Sequence, residues 1–179
     1  MASADDTALI PAWIGTALVA LDKIEVHRRG LRHKAVSVFV TDGRDILIQR
    51  RALNKYHTAG LWANTCCTHP HWDENPRDCA VRRLREELGI AGLAPAFSGQ
   101  VEYRAEVGGG MIEHEVVDVF VARADQTLGL KPDPAEVLAT RWVSPMALRA
   151  EIQHRPDRFT PWLRIYLAEH FQTIFGAGL

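Results

Sequence analysis

Cysteine is scarce in this chain: three residues, an odd number, among 179. That excludes a disulfide framework, which would carry an even set at close spacing. No apolar run approaches the ~20 residues that a membrane-spanning helix needs. Neither sign of charge is in excess, with 21 Lys and Arg against 22 Asp and Glu and a formal net charge of -1. The balance argues against a broad basic field for nucleic acid. Repeats, low-complexity tracts and linkers are also lacking, so a single domain over residues 1–179 is expected, with 1–8 as a flexible start. The acidic stretch Met1–Thr7 lacks the basic and apolar regions of a secretory leader. The expectation is a soluble cytoplasmic protein with free thiols, bound to neither nucleic acid nor membrane.

Local patterns supply elements. His33–Arg51 reads as a β-hairpin, with Lys34–Val40 rich in Val and Phe, Asp42-Gly43 as the turn and Ile46-Leu47-Ile48 as the return. Ala52–Asp73 has no periodicity and is rich in His, Cys, Trp and Asn, a composition that suits a functional loop better than disorder. Asn75–Gly89 reads as a helix: Asn75 fits the N-cap, Pro76 the first turn and Gly89 the C′ position, with Ala80, Leu84 and Leu88 on one face. Gly99–Arg104 is a short strand candidate, Gly108-Gly109-Gly110 a flexible connector and Ile112–Ala122 a strong strand. Glu136–Val143 mixes strand and turn signals. Thr160-Pro161 opens a last helix to about Phe175, with Leu163, Tyr166, Leu167, His170 and Ile174 on its buried stripe. Strands, helix, strands, helix is the order of an α+β or mixed α/β sandwich.

Several residue groups could carry chemistry. Glu113 and Glu115 stand two apart on a strand, so both point to one face. Adjacent carboxylates repel unless a cation or a shared proton lies between them. With His27, His33 and His69 they would form an N3O2 site for Zn2+ or Mn2+, although a lone histidine is more often a surface or core residue. His57, His71, His114, His154 and His170 have no such company, and His114 points away from the two glutamates. Cys67, two residues from His69, would deprotonate readily beside a dication and act as base or nucleophile; an inert buried thiol is the commoner fate, and Cys66 and Cys79 are read that way. Lys23, Arg50, Arg51, Lys55, Arg82 and Arg83 are grouped near these residues and suit a diphosphate, or else simple solvated charge. Trp162 and Tyr103 are ambiguous alone: a tryptophan face can stabilise a cation, but a core-edge position is more common.

Thr68–Ile90 lies over the Nudix pattern G-x5-E-x7-R-E-U-x-E-E-x-G-U. Glu74, Arg82, Leu84, Glu86, Glu87, Gly89 and Ile90 match; Thr68 stands in place of Gly and Arg83 in place of Glu. Nudix hydrolases hold Mg2+ with acidic groups of this helix, and a guanidinium grips phosphate but ligates no metal. The pattern therefore keeps the fold signal and damages the hydrolytic one.

Taken together, Gln49–Leu53, Gly60–Pro70, Tyr103–Ala105, Ile112–Val116 and Phe159–Trp162 resemble type I isopentenyl-diphosphate isomerases, from about Lys23 to Trp162. The resemblance implies a Nudix-type α/β/α sandwich with a mixed central sheet. It also implies interconversion of isopentenyl and dimethylallyl diphosphate by protonation and deprotonation through a tertiary carbocation, with Nudix diphosphate hydrolysis as the alternative. By that resemblance His27, His33, His69, Glu113 and Glu115 hold one Mn2+ or Zn2+ (or Mg2+). Cys67 and Glu115 are the catalytic pair, Tyr103 hydrogen-bonds near the glutamate, and Trp162 faces the reacting carbons. Glu87 and the Cys67 carbonyl face a second cation, Mg2+, carried with the substrate diphosphate. Lys23, Arg51, Lys55 and Arg83 contact the diphosphate. The partner is a small molecule, and a monomer or weak homodimer is expected.

Overall fold

In the computed structural model, residues 8–176 are described, and among them nine strands form one mixed sheet. β1 (Leu9–Ile14) and β2 (Ala17–Asp22) make an antiparallel hairpin, and α1 (Lys23–Arg29) follows. The organising strand is β3 (His33–Thr41). It runs antiparallel to β4 (Ile46–Arg51) and β6 (Cys66–Thr68), and parallel to β8 (Met111–Arg123) from His33↔Glu115 to Thr41↔Arg123. β7 (Ala96–Gly108) pairs antiparallel with β8, and β4 carries β5 (Trp62–Ala63) and β9 (Val137–Val143).

Period two sorts the strands' side chains into two cores. The odd-numbered Ala35 and Phe39, with Val117 and Val119, pack beneath α4 (Pro161–Glu169), joined by α3 (Pro145–His154) and α5 (Phe171–Phe175). The even-numbered Val36, Val38 and Val40, with Phe120 and Ala122, pack against α2 (Pro76–Leu88) through Cys79, Ala80, Leu84 and Leu88. Helices thus cover both faces, as the sandwich reading expected. Each buried leucine of α2 contributes roughly 1.5–3 kcal/mol.

The ends of α2 are those read from sequence. The Asn75 side chain accepts from the Arg77 N–H at 2.9 Å, and Gly89 closes the helix in the left-handed conformation at φ 67°. A Cβ at Gly89 would lie 2.5 Å from Lys131 Cβ, so the position needs glycine on two counts.

Between β3 and β4 the sheet forks. The strands pair only at Val40↔Leu47 and Thr41↔Ile46, and beyond that β6 pairs with β3 and β5 with β4. Buried Asn64 and Thr65 satisfy the freed backbone: Asn64 Nδ2 donates to the Val38 and Cys66 carbonyls at 3.1 and 2.8 Å, and Thr65 Oγ1 accepts from the Val40 N–H at 2.8 Å. The segment read as irregular, Ala52–Asp73, therefore holds two short strands.

Other expectations shift. The Gly99–Arg104 strand extends over Ala96–Gly108, and the glycine connector is the tight turn joining it to β8. The last helix breaks at His170, which is half-buried rather than part of the stripe, and restarts at Phe171. The flexible start falls on residues 1–7, outside the described residues, except for Ala8, whose carbonyl accepts from the Lys23 N–H at 3.2 Å. Cys66 and Cys79 are buried free thiols, as expected.

Glu74 anchors the loop before α2. Its carboxylate accepts from Arg82 Nε and Nη2 at 2.7 and 2.8 Å and from the His71 N–H at 2.9 Å. Burial opposes its charge, but these donors outweigh it and hold the carboxyl below its ordinary range. A depressed folded pKa contributes stability that is present above the unfolded value of ~4.3 and is lost as pH falls through the folded one. Glu74→Gln should therefore lower the unfolding free energy by about 1 kcal/mol at neutral pH. In urea unfolding, its gap from the parent should close on acidification; a constant gap would contradict the assignment.

Candidate active site

The odd-numbered face of β8 changes character along its length. Val117 and Val119 belong to the core, whereas Glu113 and Glu115, earlier on the same face, are 3% and 1% exposed. Strand register surrounds them. His33 stands beside Glu115 on β3, and Tyr103 beside Glu115 on β7. One turn of α1 brings the buried Lys23 and His27 to the same side. Gly30, at φ 60°, ends α1 and turns the chain into β3 with a side of Ile112 pressed close, since a Cβ there would lie 3.1 Å from Ile112 Cδ1.

Four ligand atoms, one each from His27, His33, His69 and Glu113, lie within 4.8 Å of one another. His27, His33 and His69 Nε2 stand 3.0, 3.3 and 3.9 Å from Glu113 Oε2, and His69 Nε2 stands 3.1 Å from Glu115 Oε1. Tyr103 Oη donates to Glu115 Oε2 at 2.6 Å. The five residues expected to share a cation are thus brought together, with Glu115 adjoining the tight group of four.

The donor set fits a dication. Ligands about 2.1 Å from a common centre have neighbours roughly 3.0–3.4 Å apart, close to the separations found. His27 Nδ1 and His33 Nδ1 lie 2.6 and 2.7 Å from the Lys23 and Leu31 carbonyls. A proton on each Nδ1 satisfies those carbonyls and turns the Nε2 lone pairs inward, the usual outer support of metal-binding histidines. His27 Nε2 and Glu113 Oε2 are buried with no hydrogen bond. Burial opposes charge on His33, yet the two glutamates overcome it and push the ring up to about 10; burial lowers His69 to about 4. Glu113 is held well below the carboxylate range, because the histidines outweigh its burial.

Sequence reasoning missed a fourth imidazole. His57, assigned no company, has its Nε2 3.0 Å from Glu113 Oε1 and is 6% exposed. Its only sequence signal was its place in the aperiodic segment. His114 lies on the opposite strand face near Glu102, as expected.

The cavity continues into a cationic half lined by Lys23, Arg51, Lys55 and Arg83, with Gln49, Glu87 and Glu136 between them. Arg83 Nη2 lies 2.7 Å from Glu87 Oε1 and 3.3 Å from Glu136 Oε2; Lys55 Nζ lies 2.8 Å from the same Glu136 oxygen. Gln49 Nε2 donates to Glu87 Oε2 at 2.8 Å. Glu136 was read only as the start of a strand, because its partners are remote in sequence. Trp162 lines the cavity too, with the Arg51 guanidinium carbon 5.3 Å from its ring centroid.

Cys67 faces this cavity while Cys66 faces α2, the alternation expected along β6. Ser37 Oγ, its cross-strand neighbour, donates to Cys67 Sγ at 3.2 Å and lies 2.9 Å from Tyr166 Oη. Both hydroxyls escaped the sequence reading. Burial and the nearby Glu115 push the Cys67 thiol well up, against the Ser37 bond. The deprotonation expected beside a dication would have to come from the charge of that cation, acting against this shift.

A NUDIX domain model matches residues 31–163, so the chain has a NUDIX domain. The fold agrees with solved structures: the crystal structure of DR0079 from Deinococcus radiodurans (TM-score 0.70, 15% identity, 89% of this chain and 96% of that one) and a MutT protein from Methanosarcina mazei (0.61, 19%, 76% and 90%). Among curated proteins, an isopentenyl-diphosphate Delta-isomerase of Dinoroseobacter shibae is 65% identical over 94% of this chain and 96% of that protein. One from Cereibacter sphaeroides is 64% identical over 94% and 95%. Within the NUDIX proteins, this chain belongs to the family of isopentenyl-diphosphate Delta-isomerases.

Metal binding should displace a proton. With His33 at about 10, its ring is charged at neutral pH and must lose that proton to offer Nε2. Calorimetric titration with Zn2+ at pH 7, in buffers of different ionisation enthalpy, should report about one proton released per ion. Release of none would contradict the cluster's protonation; Glu113→Gln should weaken binding at least tenfold.

Proposed function

We propose that this chain interconverts isopentenyl diphosphate and dimethylallyl diphosphate, moving a double bond by protonation and deprotonation through a tertiary carbocation. The observation that carries the reading is the meeting of Glu115 and Cys67 at one cavity, lined by buried groups that include Trp162. Both can give or take a proton, and a reversible isomerisation needs two such groups. Glu115, oriented by Tyr103 at 2.6 Å, is assigned the proton to the terminal methylene; Cys67, bonded to Ser37, is assigned the proton on the adjacent carbon.

His27, His33, His69, Glu113 and Glu115 would hold Mn2+ or Zn2+ (or Mg2+), and Glu87 with the Cys67 carbonyl would face the Mg2+ that accompanies the diphosphate. When bound, these ions supply positive charge that orients Glu115 and neutralises diphosphate. The chain's own cations do the anchoring. Lys55 and Arg83 both pair with Glu136, so an anion received there takes them from that carboxylate. Binding the unreactive diphosphate can drive that rearrangement and the exclusion of water. Trp162 stabilises the cationic carbon through its ring face, worth ~2 kcal/mol when desolvated, and tenfold in rate needs ~1.4 kcal/mol.

Arg83 separates this reading from hydrolysis. It occupies a box position where hydrolases carry a metal-binding glutamate, and it bonds Glu87 and Glu136 instead. The chain is read as a cytoplasmic enzyme, a monomer or weak homodimer. Among the described residues no helix is long and apolar enough to cross a membrane.

Cys67→Ala should lower turnover by roughly 10²–10⁴ while leaving the fold and metal content intact; near-parent activity would overturn the pair. Arg83→Glu should raise KM and still release no phosphate in a colorimetric assay. Rapid phosphate release would make that one residue the divide between the two chemistries.

A further inference from the structure

His57 belongs neither to the acid–base pair nor to the cationic half, yet it touches parts of both. Its Nε2 faces Glu113 Oε1 at 3.0 Å, whereas His27, His33 and His69 meet the other oxygen, Oε2. Its Nδ1 lies 2.9 Å from Thr58 Oγ1, and a hydroxyl donating there leaves the ring proton on Nε2. The ring stands edge-on to Trp162 at 6.0 Å between centroids, and the His57 carbonyl accepts from Arg51 Nη2 at 3.3 Å.

Two further observations mark the residue. Thr58 has φ 46°, a left-handed conformation that a β-branched residue adopts only where its surroundings impose it. In addition, His57 Nε2 and Glu113 Oε2 are both buried without a completed hydrogen bond. A buried donor and a buried acceptor left open on opposite sides of one carboxylate call for a joint explanation.

We infer that His57 is a positioning residue that makes Glu113 a one-oxygen metal ligand: its Nε2–H takes Oε1 as the cation takes Oε2, so both open atoms are satisfied together. Without it, Glu113 is free to turn and offer both oxygens. The coordination number would then change, and with it the affinity and the preference among divalent ions. The His57 ring also meets Trp162, and its backbone carbonyl accepts from Arg51, so the metal cluster and the cationic half of the cavity meet at one residue. The inference rests on the metal site of the proposed function.

Mn2+ alone, without substrate, is the probe. Purified parent, His57→Phe and His57→Gln are titrated, and free and bound Mn2+ are followed by electron paramagnetic resonance. Phe keeps the ring's volume and its edge contact with Trp162 but has no donor; Gln keeps an N–H within reach of Oε1. The Phe variant should bind at least tenfold more weakly and show an altered bound-ion spectrum, while Gln should stay within about threefold of the parent with its spectrum retained. If Phe does not fold, Ala takes its place in the comparison. Parent-like affinity and spectrum in the variant lacking a donor, or equal loss in both variants, would overturn the role of His57 and leave the metal site standing. A parent that binds no Mn2+ would overturn the metal site and this inference together.

Discussion

Two carboxylates buried side by side on one strand face impose the constraint from which the rest of the site follows. An isolated ion in a protein interior costs several kcal/mol even after relaxation, and Glu113 and Glu115 are both nearly inaccessible. The chain compensates from every neighbouring element. His27 comes from α1, His33 from β3, His57 and His69 from the forked segment, and Tyr103 from β7. So many converging donors, two of them with Nδ1 at backbone carbonyls, are more than a neutral core requires. They form a cation site built into the end of the hydrophobic core, on the same face as Val117 and Val119.

The other half of the cavity balances charge the opposite way. Lys55 and Arg83 are held by Glu136, and Arg83 also by Glu87. These pairs keep four buried or half-buried charges compensated in the cavity, and on the proposed reading they are the contacts that a diphosphate replaces. A single departure from the hydrolase box, Arg83 for glutamate, places a guanidinium, paired with Glu87 and Glu136, where a metal ligand would stand. On the proposed reading, one fold supports a chemistry in which the phosphate is gripped and left whole, and the reaction lies at the Glu115–Cys67 end.

Where local pattern was strong, sequence and structure agree. The β3–β4 hairpin, α2 with both caps, and β8 follow from β-branched content, capping residues and period. Elements with weak patterns escaped: β1 contains Pro11, α1 has only seven residues, and α3 buries Leu148 alone. The cluster of His27, His33, His69, Glu113 and Glu115 was legible because two glutamates at spacing two need compensation. His57, Glu136, Ser37 and Tyr166 were not, since each meets its partner across 30 or more residues of chain. Such contacts depend on register, which single-residue patterns do not carry.

The central claim, that this cavity moves a proton onto one carbon and off another, is tested most directly by proton NMR of the protein with Mg2+ and isopentenyl diphosphate in D2O. Loss of the terminal methylene signals, growth of two methyl signals and incorporation of solvent deuterium are the predicted result. An unchanged alkene with free phosphate or pyrophosphate appearing would contradict the account and return the chain to diphosphate hydrolysis.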